Sequence, residues 1–401
     1  MANGIESTTG TRSAKGDRLQ FIPALDGLRG IFAFLVVVSH YGYCQIGWVS
    51  INIFFCLSGY LLTSILITEK KRPLGEYLGR FYWRRLLRTF PAYFGFLFLC
   101  GILYLCLRQP AGFPGVLPPL ATYWYNFKIL LHPEANQYAF LHFWSLSVEE
   151  QFYLFWPLFV FALSAANMRR LVLAIIVLVP CLRVAIYFYA RAHGLGDIHV
   201  ALICYLGTPL QLDGFALGAA IAVFRLRERT FRLRWLGAAL AVAFALGVIN
   251  ASFGADPYAR LHGQGFGGRF FGSAGFGYPH FLLQNRQFLW GYTVANLLCA
   301  GLVLAVLHRN VWQRFCELSV LRYLGRISYG IYIVHWPLIV LLLPRFPSNP
   351  WSPAGLLWFA GLFAVVVLLA HLSYQYFERR FLLLKDYFAK RTAGLAAPVS
   401  T

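Results

Sequence analysis

Long apolar runs separated by short polar segments dominate the chain. Ten of these runs have roughly the 17 to 25 residues that a helix needs to cross the hydrocarbon core of a bilayer. Their approximate bounds are 30–48, 51–68, 91–107, 145–164, 171–190, 203–224, 235–253, 291–307, 327–343 and 354–376. The pattern predicts an all-α polytopic membrane protein with about ten transmembrane helices.

The basic residues between the runs predict the orientation of the chain. Most of the 35 Lys and Arg residues fall in alternate connections. By the positive-inside rule those connections are cytoplasmic, and both termini are then cytoplasmic as well. We expect a disordered N-terminal tail at 1–20, a transmembrane domain at 21–380 and a C-terminal tail at 381–401. The first run lacks a small-residue cleavage site, so we expect it to remain in the mature protein.

Composition agrees with a membrane protein. The chain is 59% hydrophobic and only 12% charged, whereas soluble domains carry roughly 25% charged residues. Its net charge of +20 would suit nucleic acid, but the cations lie between apolar runs and not along one amphipathic face. We therefore expect a lipid bilayer and no nucleic acid as a partner. The eight cysteines show no metal-ligand spacing, so no metal site is predicted.

Two connections on the outer side are long, at about 108–144 and 254–290. The second is rich in glycine, but it lacks the preceding strand and following helix of a phosphate-binding loop. We interpret it as a flexible or re-entrant external loop. No internal repeat and no inverted pair of broken spans is recognisable, which counts against a secondary transporter.

The stretch from Leu25 to His40 carries the first candidate for chemistry. Arg29 lies near the start of the first run and His40 follows eleven residues later, about 16 Å further along a helix. That depth is near the middle of a core roughly 30 Å thick. An ionisable group is costly there unless it faces the protein interior or a water-filled cavity. A functional histidine and a packed, hydrogen-bonded core histidine both fit.

The segment between the second and third runs predicts an amphipathic cytoplasmic helix. Arg80, Arg84 and Arg88 are four residues apart and share one face, with Arg85 beside them. The arginines could anchor lipid headgroups and set topology. A row of guanidiniums on one face is also suited to bidentate phosphate binding.

Further ionisable residues interrupt the later runs. Glu149 and Glu150 lie within the first two turns of the fourth run, and Asp213 and His335 lie deep in the sixth and ninth. Adjacent helical residues point about 100° apart, so we expect only one of the two glutamates to face a given cavity. An acid that stabilises the start of the helix is the alternative interpretation.

At these residues the sequence resembles the acyltransferase 3 family of membrane O-acyltransferases. The resemblance covers about 21–380 and keeps the motifs in the family's order. The matching segments are Leu25 to His40, Phe54 to Leu62, Arg84 to Arg88 with Pro91, Ser145 to Tyr153, and Ile327 to Tyr329 with His335. Asn52 departs from the pattern, because relatives often carry aspartate there.

The resemblance implies an enzyme of the bacterial cytoplasmic (inner) membrane. Such an enzyme transfers an acyl group, with acetyl as the expected group, from cytoplasmic acyl-CoA to a hydroxyl of a carbohydrate or similar acceptor. The acceptor would be extracytoplasmic or lipid-linked. Acyl-CoA is then a substrate, and no permanently bound cofactor is expected. Direct transfer and a covalent acyl-histidine intermediate both remain open.

In this hypothesis His40 is the general base and Glu149 orients or charge-balances its imidazole. The candidate substrate- and CoA-binding residues are Asp26, Arg29, Arg84, Arg85, Arg88, Ser147, Gln151, Tyr153, Asp213 and His335. The alternative is a transporter or acyl-lipid carrier in which His40, Glu149, Asp213 and His335 form a proton relay. A third class, the O-acyltransferases that pair histidine with asparagine, has no matching spacing here.

Overall fold

The computed structural model describes residues 22–108, 112–132, 138–253, 275–278, 284–347 and 349–386. These residues are 85% helical and include no strands. The predicted tails at 1–20 and 381–401 lie outside the described residues, except for 381–386. Most of the glycine-rich connection at 254–290 lies outside them as well.

The described α-helices are numbered here in chain order. They are α1 Pro23–His40, α2 Val49–Glu69, α3 Leu74–Leu107, α4 Phe113–Ala121, α5 Tyr125–Leu131, α6 Trp144–Ala162, α7 Ala165–Ala192, α8 Asp197–Leu206, α9 Leu212–Val223, α10 Leu233–Phe253, α11 Gly291–Leu307, α12 Val311–Cys316, α13 Ser319–Arg326, α14 Ser328–Leu342, α15 Pro353–Leu372 and α16 Arg379–Leu382. A π-helical segment, Ser373–Glu378, joins α15 to α16.

Six helical segments among the described residues are long and apolar enough to cross a membrane, and two bent helix pairs would raise the count to eight. The all-helical membrane class is therefore confirmed. Helix also occupies each of the ten predicted positions. However, α6 carries two glutamates, and α11 has only 17 residues. Ten spans and cytoplasmic termini stay predictions.

The two bent pairs were missed in the sequence. The pair α8 and α9 bends by 75°, and the pair α13 and α14 bends by 70°. The first break lies at Gly207, where Pro209 follows and cannot donate a helical hydrogen bond. The second lies at Ile327. The first break therefore falls inside the predicted span 203–224, whereas the second coincides with the start of the predicted span 327–343.

The first helix differs from the predicted run at 30–48. Proline at the first helical position is favourable, and α1 begins at Pro23. Gly42 follows the helix with a φ of +99°, a conformation that glycine adopts without strain. His40 is therefore the last residue of α1 and not the middle of a span. The correction changes its expected depth but not its distance along the helix from Arg29.

The third helix joins two elements that the sequence suggested were separate. α3 has 34 residues and continues through Pro91, which makes it about 51 Å long. The arginine-bearing segment and the third predicted span are therefore one helix, and Arg80, Arg84 and Arg88 do share a face of it.

Close backbone contacts hold the centre of the bundle together. A Cβ atom built on Gly59 of α2 would lie 2.0 Å from the carbonyl oxygen of Phe215, and one on Gly218 of α9 would lie 1.9 Å from that of Cys56. Only glycine permits this approach, which is typical of helix pairs in membranes. The contact fixes α9 against α2.

Candidate active site

Two histidines from opposite ends of the chain meet between α1 and α14. The Nδ1 atom of His40 lies 2.8 Å from the Nε2 atom of His335. The two rings are nearly parallel, with an angle of 4° between their planes and 5.1 Å between their centroids. His335 is fully buried. The structure therefore brings together two of the predicted site residues.

The second ring nitrogen of His335 is anchored by its own helix. His335 Nδ1 lies 2.8 Å from the carbonyl oxygen of Tyr332 and 3.1 Å from that of Ile331. The Trp336 ring lies 4.6 Å from the His40 ring, centroid to centroid. The orientation of the histidine pair is thus set by α14.

A third imidazole, that of His142, belongs to the same cluster. Its ring packs edge-on against His335 at a centroid distance of 5.3 Å, and its Nε2 atom lies 3.2 Å from the Ile333 carbonyl oxygen. The tyrosine hydroxyl of Tyr332 donates to the His142 carbonyl at 2.7 Å. Sequence reasoning did not select His142, although it directly precedes the fourth predicted span.

Glu149 lies in a second polar cluster, on α6. Its Oε1 atom accepts hydrogen bonds from the hydroxyls of Ser58, at 2.5 Å, and Tyr153. The two hydroxyl oxygens are themselves 2.8 Å apart. The guanidinium of Arg85 stacks 3.6 Å above the Tyr153 ring centroid. This cluster brings Tyr153 and Arg85, both predicted site residues, to Glu149.

Arg85 also contacts the second glutamate. One of its nitrogens lies 3.7 Å from Glu149, and another lies 3.7 Å from Glu150. The expectation that only one glutamate faces a given site is therefore wrong, because a guanidinium is wide enough to bridge two carboxylates of adjacent residues.

Two further arginines of α3, Arg80 and Arg84, form ion pairs with glutamates. Arg84 lies 3.8 Å from Glu69, and Arg80 lies 3.1 Å from Glu76. Arg72 bridges the same two glutamates. These contacts form an ion-pair network between the end of α2 and the start of α3, so the row of arginines is not a single uniform surface.

Arg88 is exposed and lies near other cations. It is within electrostatic range of Arg29 and Arg85, as well as Asp26, and of Glu378. Arg29 forms a 3.4 Å ion pair with Asp26 one turn earlier in α1. Among the described residues no carboxylate lies within ion-pair distance of Arg88, so its guanidinium is not engaged in a direct ion pair.

Asp213, predicted to contact substrate, forms a buried ion pair, and its contact with substrate stays a prediction. Its Oδ1 atom lies 2.6 Å from Arg183, and both side chains are at most 1% exposed. Arg183 also donates to the Leu210 carbonyl and, at 3.2 Å, to Thr293. This buried ion pair joins α7 and α11 to the break before α9.

Ser147 and Gln151 form contacts within and between helices. The Ser147 hydroxyl donates to the Phe143 carbonyl at 3.2 Å. Gln151 donates to Asn126 at 3.0 Å and to the Tyr123 carbonyl at 2.7 Å, and accepts from Thr208 at 2.5 Å. Asn52 likewise pairs with Asn296 at 2.6 Å. These hydrogen bonds position helices, and a substrate contact at Ser147 or Gln151 stays a prediction.

A family comparison identifies what this arrangement belongs to. The family model described as an acyltransferase domain matches residues 22–374. The chain is a member of the acyltransferase 3 family. Both histidines, Glu149 and the arginines of α3 lie inside the matched region. The family and the helices together support a multi-pass membrane protein of an acyltransferase family.

Curated relatives within this acyltransferase family are similar to nearly the whole chain. One is OatA of Listeria monocytogenes, a peptidoglycan O-acetyltransferase, which is 24% identical over 377 residues. Another is YrhL of Bacillus subtilis, provisionally named a peptidoglycan O-acetyltransferase, which is 26% identical over 381 residues. Each alignment covers 90% of this chain and 55% of the relative. The chain thus spans little more than half the length of these proteins. No solved structure matches.

An apolar groove is lined by residues outside the two polar clusters. It has a volume of about 650 Å³. Its lining comes from α10, α11 and α12, namely Leu233, Leu236, Gly237, Leu240, Leu302, Val311, Trp312 and Phe315. These side chains supply no acid or base, so the groove is not the reactive site. Within the part of the chain that the structure describes, no group of three His, Cys, Asp or Glu residues is arranged as a metal site.

Proposed function

We propose that this acyltransferase transfers an acetyl group from cytoplasmic acyl-CoA to a hydroxyl of an extracytoplasmic or lipid-linked carbohydrate. The observation that carries the proposal is the hydrogen-bonded pair of His40 and His335 in a chain that belongs to an acyltransferase family. An imidazole has a reference pKa near 6.5 and is the side chain best suited to proton transfer at neutral pH.

The reaction needs one proton acceptor. The acceptor hydroxyl oxygen attacks the thioester carbonyl carbon and forms the new C–O bond, while His40 takes the hydroxyl proton. The C–S bond then breaks, and the CoA thiolate receives that proton from the imidazolium. In this direct route no charge accumulates on the protein over a cycle. Transfer by way of an acyl-histidine would add a second, similar step at the same ring.

The donor side is assigned to Arg29 and Arg88. CoA carries several phosphate groups, and guanidiniums bind phosphate through charge-assisted, bidentate hydrogen bonds. Arg29 lies about 16 Å from His40 along α1, which an extended pantetheine arm can bridge. Arg84 belongs to the ion-pair network around Glu69, and Arg85 contacts two carboxylates. They therefore contribute less to phosphate binding in this proposal than Arg88, which has no ion-pair partner among the described residues.

Peptidoglycan is the first acceptor to test. The name of OatA refers to peptidoglycan, whose sugars carry free hydroxyls. The chain covers only part of that relative, so the acceptor is proposed as a class, a hydroxyl-bearing glycan of the cell surface.

A second candidate is a transporter or acyl-lipid carrier without acyl-transfer chemistry. The two broken helix pairs favour it, because discontinuous helices commonly form the substrate sites of secondary transporters. Such a protein would move its cargo and leave the thioester intact.

Release of free CoA separates the two proposals. The purified protein in liposomes receives radiolabelled acetyl-CoA together with peptidoglycan fragments, and both free thiol and labelled glycan are measured. Acetyl transfer predicts equal amounts of both products, and only when acetyl-CoA is on the face that carries Arg29 and Arg88. Uptake of label with no free CoA would instead support the transporter.

A further inference from the structure

The hydrogen bonds of His335 determine which of its nitrogens carries a proton. A carbonyl oxygen can only accept, so Nδ1, which faces the Tyr332 and Ile331 carbonyls, must carry a hydrogen. A neutral imidazole has a single N–H, so the Nε2 atom of His335 is then an acceptor.

The same reasoning extends to His40. Its Nδ1 atom lies 2.8 Å from the acceptor Nε2 of His335 and must therefore donate. The lone pair of a neutral His40 is thereby assigned to Nε2. The hydrogen bonds thus run from His40 to His335 and from His335 to the α14 backbone. The backbone carbonyls that bind His335 Nδ1 thereby fix the tautomer of His40.

We propose that His335 is a positioning residue that holds His40 in the tautomer whose Nε2 atom is the base. This inference rests on the proposed acyl transfer and changes the expected role of His335, which sequence reasoning placed among the substrate-binding residues. It also places at His335 the orienting role that was expected of Glu149.

In a Ser-His-Asp triad a carboxylate orients the histidine and fixes its tautomer, and in this proposal backbone carbonyls do so through His335. When His40 takes a proton, its Nδ1–H bond to His335 becomes charge-assisted and stronger. The Tyr332 and Ile331 carbonyl dipoles face the ring that receives this bond. Because His335 is fully buried, water does not compete for its nitrogens, and its orientation is fixed before substrate arrives.

A packing role and a tautomer-setting role predict different results from chemical rescue. His335→Ala leaves a ring-sized space, and we expect turnover to fall ten- to hundredfold, because a hydrogen bond to a charged group is lost. Added imidazole should restore part of this activity, since it has both a donor and an acceptor nitrogen. Pyrrole is almost the same size but has no acceptor nitrogen, and it should not restore activity.

Two full-sized replacements keep the test valid if the alanine variant does not fold. His335→Gln retains an acceptor oxygen near the position of Nε2 and should keep more turnover than His335→Met, which fills the space without a good acceptor. His308→Ala is the matched control. The His308 Nδ1 atom likewise lies 2.8 Å from the carbonyl oxygen four residues earlier. His308 directly follows α11 and belongs to neither polar cluster, so turnover of this variant should equal that of wild type.

A measurement independent of turnover is the ¹⁵N NMR spectrum of the full chain in lipid with labelled histidine. The His40 and His335 signals are identified by their loss in single variants. Protonated Nδ1 on both rings supports the proposal. Protonated Nε2 on His335 would overturn it even if acyl transfer is confirmed, as would equal rescue by imidazole and pyrrole. If the NMR result stands but wild type releases no CoA, the proposed function fails and the tautomer assignment survives.

Discussion

Two polar pairs lie inside the helix bundle, one fully buried and one partly buried, and they differ in what they can do. His40 and His335 share one hydrogen bond between two imidazole rings, whereas Arg183 and Asp213 are held by a 2.6 Å ion pair. Both pairs are anchored to backbone carbonyls, those of Tyr332 and Leu210 respectively. Both pairs are therefore held in place by the backbone, but they differ in chemistry.

The difference indicates which pair is suited to proton transfer. Arg183 keeps its proton under all physiological conditions, so its pair with Asp213 can hold helices but cannot pass a proton to a substrate. An imidazole can accept a proton at one nitrogen while its other nitrogen donates a hydrogen bond, so the histidine pair can take part in proton transfer. Intramembrane charge is thus not sufficient to mark a reactive site, and the ability to titrate is the better criterion.

The largest expected effect is on stability, at the ion pair. Arg183→Met leaves the buried Asp213 carboxylate without a partner, and such a loss costs about 3 to 5 kcal/mol. We expect a large drop in folded yield and in the thermal unfolding midpoint in detergent. His335→Gln should cost much less, because it leaves no unpaired charge.

A double variant sharpens this comparison. Arg183→Met combined with Asp213→Leu removes both charges, and it should recover most of the stability that the single change loses. A double variant as unstable as the sum of the two single variants would mean that the pair is not coupled, and the contrast with the histidines would lose its basis.

The next effect concerns donor binding at the cationic end of α1. Arg29→Ala and Arg88→Ala should each raise the KM for acetyl-CoA about tenfold or more, because a well-formed charge-assisted hydrogen bond contributes about 1.5 to 3 kcal/mol. Arg84→Ala is the matched control on the same face of α3 and should change KM by less than about threefold. The acceptor KM should stay constant in all three. A larger defect at Arg84 than at Arg88 would contradict the division of the arginine row.

A smaller effect separates the adjacent glutamates. Glu149 accepts from Ser58 and Tyr153 and also contacts Arg85, whereas the ion pair of Glu150 is with Arg85. Glu149→Gln should therefore lower kcat/KM by about tenfold, and Glu150→Gln by less than about threefold. Initial rates at fixed acetyl-CoA measure both. Equal losses would indicate that the Arg85 bridge is the important contact.

Apolar runs made the helices predictable, because burial in lipid requires long uninterrupted hydrophobic segments. The break at Gly207 was missed, since a bend changes direction without changing hydropathy, whereas the break at Ile327 coincides with the start of a predicted run. The start of α1 at Pro23 was also missed, because the polar first turn lies outside the apolar run.

The site was only partly predictable for a similar reason. His40 and Arg29 share one helix, so their spacing could be calculated from the sequence. His40 and His335 are 295 residues apart, and only tertiary packing brings them together. Arg183 and Asp213 could have been paired in advance, because two charges inside predicted spans are stable only if they meet. His142 gave no such signal.

The most direct test compares turnover and thermal stability between wild type and the His40→Ala variant. His40→Ala in liposomes, supplied with acetyl-CoA and peptidoglycan fragments, should release CoA at least about 10²-fold more slowly than wild type. The thermal unfolding midpoint of the variant should stay close to that of wild type, and the variant should bind acetyl-CoA with wild-type affinity. CoA release at the wild-type rate from this variant would contradict the central claim that the histidine pair is the reactive centre.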